Sequence, residues 1–138
     1  MTIQNLIDNG YISNFEFEKN AINIELNDAH YDLEKAKKSF EEEDYKWTVI
    51  QAYYSIFHIC RALLYKNNFR EKSHYGLYLY IEQLHYQQQF PEKFVNMFNA
   101  GLFARQEANY QGTFSKETAE NILNFAIEFK EFEKYLKD

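Results

Sequence analysis

The stretch YKWTVIQAYYSIFHICRALLYK, residues 45–66, decides the fold. Apolar side chains from Trp47 to Leu64 occupy almost every side of the helix that this stretch predicts, and a helix that is apolar all round is surrounded by other elements. Asp44 is the predicted N-cap, and the acidic run at 41–43 lies beside the positive end of the helix dipole. The sequence therefore predicts a central helix.

A second long helix is predicted immediately before the central one. Its apolar residues follow a 4-3-4-3-4 spacing and form one stripe: Ile22, Leu26, Ala29, Leu33, Ala36 and Phe40. A coiled coil would produce the same pattern, but fewer than three heptads followed by a break favour a helix that packs in a bundle.

Further helices are predicted after the central one. Ser73 can cap an element that reaches about Gln88, and Pro91 suits the first turn of another that ends near Glu107. Ser115 can open a last helix that runs to the C-terminus. We therefore predict an all-α fold, a four- to five-helix up-and-down bundle. It forms a single domain over residues 1–138, with 1–15 as a short N-terminal lead-in.

Composition limits the classes of function. The 138 residues are 46% hydrophobic and 26% charged, and no apolar run approaches the roughly 18 residues that a membrane span needs. The N-terminus lacks the features of a secretory signal, and Cys60 has no partner for an internal disulfide. We expect a water-soluble cytoplasmic protein with no membrane partner. The net charge of −6 argues against nonspecific coating of nucleic acid, so RNA could bind only at a local basic site.

The central helix carries a polar stripe of Gln51, Ser55, His58 and Arg61, with Tyr54 beside it. The stripe could hydrogen-bond neighbouring helices or a second subunit, since buried polar groups need partners. Alternatively, it could form the wall of a site in which Arg61 is a fixed cation and His58 carries protons. The helix by itself leaves both interpretations open.

A local excess of positive charge follows. Between residues 61 and 74 four basic side chains face one acid, a net +3: Arg61, Lys66, Arg70 and Lys72 against Glu71. The stretch could be a solvated loop and helix end, or a phosphate-binding rim helped by the free amides that follow Ser73. His74 would stand at the start of that helix.

A third cluster, Arg105–Gly112, is predicted to leave a helix and enter a loop, where Arg105 could also do no more than satisfy terminal carbonyls.

The sequence carries no motif for several other kinds of catalysis. The sequence has no glycine-rich phosphate loop, no Gly-x-Ser-x-Gly elbow and no zinc pattern, so we expect no metal site and no cofactor. Cys60 is expected to be a buried, inert thiol.

Three motifs carry a family resemblance. The segment 51–64, QAYYSIFHICRALL, is similar to the AYYAMFHAARALL segment of prokaryotic HEPN-domain proteins. Residues 72–74 match their K-S/T-H, and residues 105–110, RQEANY, resemble R-x-x-A-D-Y with Asn109 in place of Asp. The three motifs occur in the same order and spacing, and the likeness spans about residues 29–136.

The resemblance implies a four-helix bundle with a short extra helix in a cytoplasmic protein that dimerises, so that both subunits of the homodimer line one cleft. Many HEPN proteins are metal-independent ribonucleases, often toxins neutralised by a nucleotidyltransferase-like antitoxin. Others bind a nucleotide or a partner protein without cutting RNA. The residues that carry over are Arg61, His74, Arg105, Asn109 and Tyr110.

One departure concerns catalysis. Catalytic members carry an Arg followed, after four to six intervening residues, by a His, whereas Tyr110 stands at that spacing after Arg105. Cleavage would proceed by attack of the 2′-hydroxyl on the adjacent phosphate. His58 or His74 would move protons, and Arg61 or Arg105 would stabilise the charged transition state.

Three hypotheses follow. The first is an RNA-targeting or toxin–antitoxin HEPN protein with catalytic candidates Arg61, His58, His74 and Arg105. The predicted RNA- or nucleotide-binding residues are Tyr54, Arg70, Lys72, Asn109 and Tyr110. The alternative is a non-catalytic HEPN module that binds a nucleotide or a nucleotidyltransferase-like partner. The third is an acidic structural bundle whose Arg and His residues complete internal hydrogen bonds.

Overall fold

A computed structural model describes residues 1–111 and 114–136, without the side chains of residues 109–111 and 135. Within that part, the helices are α1 Ile3–Asp8, α2 Lys19–Glu41, α3 Tyr45–Lys66, α4 His74–Tyr86, α5 Glu92–Gln111 and α6 Lys116–Phe129. A 3₁₀ helix, Lys130–Tyr135, follows α6. Two short strands, β1 Ile12–Asn14 and β2 Phe69–Glu71, complete the elements.

The central position of α3 is confirmed. This helix contacts α2, α4, α5, α6 and β2, and half of its residues are buried. Asp44 is the N-cap of α3, as predicted. Its carboxylate accepts a hydrogen bond from the backbone N–H of Trp47. Trp47 itself, in the first turn, stays half exposed. The helical bundle therefore assembles around one hydrophobic element.

The apolar stripe of α2 packs on α3 as its spacing predicts. Leu26, Ala29, Leu33 and Ala36 are buried, and the two outer members of the stripe are partly buried against the same core. Small alanines at this contact allow two helices to approach closely. The hydroxyl of Ser55 on α3 accordingly reaches the backbone carbonyl of Ala29, at 2.8 Å.

The predicted helix starts at Ser73 and Ser115 are confirmed, since each hydroxyl accepts a backbone N–H three residues on. The predicted end of α5 near Glu107 is wrong, because the helix continues to Gln111. No glycine or proline stands between Glu107 and Gly112, so nothing local interrupts it.

The all-α bundle is confirmed, with one addition that the sequence did not predict. Strands β1 and β2 pair antiparallel, with Ile12 opposite Glu71. Residues 1–15, expected as a short lead-in, form α1 and β1, and they bury Leu6 and Ile12 almost completely. Strands of three residues show no periodic pattern that could reveal them. The pairing fixes β2, and with it Glu71, beside α3.

None of the described helices is long and apolar enough to cross a bilayer.

Gly76 in the first turn of α4 is required by a close approach. A Cβ at this position would lie 2.4 Å from the backbone oxygen of Tyr11, too close for a real contact. We expect Gly76→Ala to destabilise the protein by about 1–3 kcal/mol, as overpacking does, although alanine normally favours a helix. Urea denaturation would measure this.

The control is Tyr86→Ala, which removes a much larger side chain from the exposed end of the same helix. It should change stability by less than about 0.5 kcal/mol. Equal stability of Gly76→Ala and the wild type would contradict the packing described here.

Candidate functional site

His74 lies in a pocket of aromatic rings between α3 and α4. Its Nδ1 is 2.6 Å from the hydroxyl oxygen of Tyr53. Its ring stacks on Phe57, with centroids 4.3 Å apart and planes at 24°. The ring of Tyr54 lies nearly perpendicular to the imidazole, with centroids 5.9 Å apart. Because Ser73 caps α4, the imidazole is held at the start of that helix. We call His74, Tyr53, Tyr54, Phe57 and Arg105 the His74 cluster.

The imidazole of His74 is neutral at physiological pH. Burial, together with the positive charges of Arg105 and Arg61, lowers its pKa to about 4. The helix N-terminus beneath it also disfavours a positive charge. His74 can therefore form neutral hydrogen bonds at pH 7 but does not contribute a charge.

Arg105 reaches this pocket from α5. Its guanidinium carbon lies 5.4 Å from the ring centroid of Tyr53 and 5.9 Å from that of Tyr54, within the range of cation–π contacts. Its Nε is buried and has no hydrogen-bond partner among the described residues, none of which places a carboxylate within ion-pair distance. Gly101, one turn earlier, allows this approach, since a Cβ there would already press on Tyr53 at 3.2 Å.

Arg61 lies beside the His74 cluster, but two carboxylates already bind it. Its Nε donates to Glu71 Oε1 at 2.8 Å, and Nη1 is 3.6 Å from Glu25 Oε1. The guanidinium covers the ring of Phe57 at 4.5 Å. Because its charge is neutralised locally, Arg61 is much less available to a phosphate than Arg105.

His58 lies on α3 next to Phe57 but pairs with acids of α2. Its Nδ1 lies 2.6 Å from Glu25 and its Nε2 lies 3.4 Å from Asp32. Burial acts to lower its pKa, but hydrogen bonds and charges from Asp32 and Glu25 outweigh burial and raise the pKa to about 9. His58 is therefore protonated at neutral pH and cannot accept a further proton.

The whole polar stripe of α3 hydrogen-bonds to neighbouring elements. Gln51 bonds Ser39 on α2, Ser55 donates to the carbonyl of Ala29, and the other two members form the ion pairs just described. Of the two interpretations of this stripe, hydrogen bonding between elements accounts for every member. The sequence analysis missed the partner acids, because nothing local marks a carboxylate of another helix as a partner.

The remaining candidates are dispersed. Arg70 is exposed and stacks on Phe15 at 5.6 Å, and alternation along β2 directs it away from Glu71. Lys72 is exposed after the strand, and the structure brings neither residue into the His74 cluster. The side chains of Asn109 and Tyr110 lie outside the described part of the chain.

Tyr53 and Phe57 belong to the cluster although the sequence analysis assigned them only to the apolar core. Both are almost completely buried, so hydrophobicity explains their burial and gives no sign of a contact with His74. The predicted cysteine environment is confirmed, since Cys60 is a free, fully buried thiol.

The ion pairs of His58 predict a pH-dependent contribution to stability. The pKa of His58 is higher in the folded protein than in the unfolded chain. The ion pairs therefore stabilise the fold fully below the unfolded pKa near 6.5, and this stabilisation is lost as the pH rises through about 9. We expect His58→Gln to be most destabilising near pH 6 and progressively less so towards pH 10. Urea denaturation at several pH values would measure the free energy of unfolding.

Ser55→Ala is the control, since it removes a nearby hydrogen bond that does not titrate. Its cost should be the same at every pH. A His58→Gln effect that is equally independent of pH would contradict the ion pairing.

Comparison with known proteins identifies the family of this chain. The model of the HEPN domain matches residues 24–136. "Putative toxin MJ0605" of Methanocaldococcus jannaschii is 39% identical over 67 residues, which cover 41% of this chain and 50% of that protein. The chain thus spans about half the length of this curated relative. The match to the family model begins within α2, extends past the 3₁₀ helix and contains the whole His74 cluster. This protein therefore belongs to the HEPN domain family.

Proposed function

We propose that this chain is the HEPN component of a toxin–antitoxin-type system and binds the phosphate backbone of single-stranded RNA at the His74 cluster. The observation that carries the proposal is Arg105, a guanidinium without a described carboxylate partner, held against tyrosine rings beside a neutral histidine. Guanidinium forks match phosphate geometry and bind it through paired hydrogen bonds.

Aromatic rings beside this arginine favour RNA as the source of the phosphate. Single-stranded nucleic acids are bound where a cation contacts the backbone and exposed rings stack on bases. Tyr54 is half-buried at the edge of the cluster and can present its ring to a base. A protein of net charge −6 needs such a local site, because its overall field repels phosphate.

The toxin role rests on the family and on a name. The relative from Methanocaldococcus jannaschii carries the word toxin in its name. An antitoxin of the nucleotidyltransferase-like class is the partner we propose for this chain. A homodimer in which two copies of the His74 cluster line one cleft is part of the same proposal.

Cleavage of the bound RNA is a further step of the proposal. The 2′-oxygen forms a bond to the adjacent phosphorus, and the bond from phosphorus to the 5′-oxygen breaks. The proton of the 2′-hydroxyl passes to water, and the 5′-oxygen takes one up, so neither oxidant nor reductant is needed. Arg105 would stabilise the charge that develops on the phosphate oxygens.

Arg105→Ala is expected to weaken the binding of a labelled single-stranded RNA by about ten- to hundredfold, the range for a charged hydrogen bond. The slope of log affinity against log salt should fall by about 0.7 for each phosphate that the variant no longer neutralises. Fluorescence anisotropy at several salt concentrations would measure both effects.

Arg70→Ala is the matched control, because it removes the same charge from an exposed position outside the cluster. It should change the affinity by less than about threefold, as for one solvent-screened surface charge. Equal reductions of affinity in the two variants would mean that binding follows net charge alone, which would contradict a defined site.

Slow cleavage in EDTA is expected for the wild type and should be abolished by both Arg105→Ala and His74→Ala. The rate should be low because Tyr110 stands where catalytic relatives carry a histidine, and acid–base help is worth about 100- to 10,000-fold. Gel analysis of a labelled RNA would measure it. Intact RNA at high protein concentration would refute the cleavage step and leave binding alone.

A second candidate, the non-catalytic module, is favoured by the same Tyr110, since a tyrosine phenol is ordinarily a poor proton carrier at neutral pH. In that case a nucleotide or the nucleotidyltransferase-like partner would occupy the cluster. Titration calorimetry would test this candidate. Binding of nucleotides or of the neighbouring gene's product, without binding of RNA, would favour it over the first.

A further inference from the structure

The short contact between Tyr53 and His74 can form in either of two directions. The hydroxyl of Tyr53 can donate to Nδ1, or a proton on Nδ1 can be donated to the hydroxyl oxygen. The direction matters because a neutral imidazole carries only one proton. Whichever nitrogen holds it leaves the other as an acceptor.

Burial of Tyr53 decides the direction. Its side chain is completely buried, and among the described residues its hydroxyl has no hydrogen-bond partner other than His74. Burial raises the pKa of this phenol far above its usual range, against the opposing charge of Arg105, so the hydroxyl keeps its proton. A buried hydroxyl that cannot donate would lose a hydrogen bond. Tyr53 therefore donates, and Nδ1 of His74 accepts.

The other nitrogen of His74 is then the one that carries hydrogen, and no described residue accepts it. Nε2 makes no hydrogen bond within the described part of the chain. It is also not one of the two buried side-chain atoms there that lack a partner, which are Glu71 Oε2 and Arg105 Nε. Within the described part of the chain Nε2–H is therefore unoccupied, in the same cluster as Arg105, whose Nε has no described hydrogen-bond partner.

We propose that Tyr53 is a positioning residue that holds His74 as a neutral donor, with the proton on Nε2, aimed at a phosphodiester oxygen beside Arg105. This inference rests on the proposed function for the identity of the ligand. The site then offers one fixed positive charge and one neutral N–H, which together suit the single negative charge of an RNA phosphodiester. His74 cannot take the proton of the 2′-hydroxyl while Nε2 is occupied.

The surroundings of His74 preserve this state across the physiological range. Tyr54 and Arg61 face it from α3 and Arg105 faces it from α5, while Glu71 of β2 binds Arg61. Both arginines oppose a second proton on the ring.

The test is NMR spectroscopy of the full chain labelled with ¹⁵N-histidine, with His74 assigned by comparison with His74→Gln. At pH 7 the wild type should show His74 with hydrogen on Nε2 and none on Nδ1, both free and with RNA bound. Tyr53→Phe keeps the ring and removes the donor. In Tyr53→Phe we therefore expect a mixture of the Nδ1–H and Nε2–H tautomers of His74. The pKa of His74 should also rise, because the neutral imidazole no longer accepts a hydrogen bond.

Tyr80→Phe is the matched control, since it removes another buried tyrosine hydroxyl, on α4 and outside the His74 cluster. It should leave the spectrum of His74 unchanged. If Tyr53→Phe fails to fold, the wild-type spectrum alone still decides. Hydrogen on Nδ1 in the wild type, or a Tyr53→Phe spectrum identical to the wild type, would overturn the inference.

The RNA arm separates this inference from the function on which it rests. Tyr53→Phe should bind single-stranded RNA about three- to tenfold more weakly than Tyr80→Phe, the range for one misplaced hydrogen bond. If the wild type does not bind RNA, the proposed function fails while the proton position measured on free protein still confirms or refutes the role of Tyr53. Equal RNA affinities of the two variants would refute donation by His74 to the phosphate.

Discussion

The structure depends on the burial of α3. Where α2, α4, α5 and α6 enclose this helix, its buried polar side chains cannot be solvated, so they need partners inside the protein. The hydroxyl of Ser55, the imidazole of His58 and the guanidinium of Arg61 all do so. These contacts fix the register of α2 and β2 against α3, and they leave the side of α3 that carries Tyr53 and Phe57 for the His74 cluster.

Two arginines near His74 differ because of this constraint. Arg61 is held between Glu25 and Glu71, which places it firmly but cancels its charge. Arg105 reaches the cluster from α5, and the described residues that it contacts there are the rings of Tyr53 and Tyr54. The first arginine acts on the site through its effect on the pKa of His74, and the second is the one that we propose as the anion-binding residue. The same contrast separates the two histidines, one paired with acids and protonated, the other beside arginines and neutral.

Agreement between sequence and structure is closest where the pattern is long. The 22 residues of α3 and the stripe of α2 carry several turns of helical periodicity, and the structure confirms both. The two three-residue strands carry no such pattern, and the pairing of Ile12 with Glu71 joins distant parts of the chain. For the same reason Arg70 and Glu71, adjacent in a basic stretch, have different surroundings. One stacks on Phe15 at the surface, and the other is bound to Arg61.

The amino-acid sequence by itself determined the helical bundle, the central helix with its cap at Asp44, and the resemblance to HEPN proteins, because periodicity, capping and motif spacing are local properties of the chain. Only the tertiary structure decided which charged side chains pair with a carboxylate of another element. Whether an arginine meets a carboxylate or a ring, and whether a histidine is charged, depends on side chains from other helices that reach it in space. Tyr53 and His74 lie on different helices, so their hydrogen bond exists only once α3 and α4 have packed together.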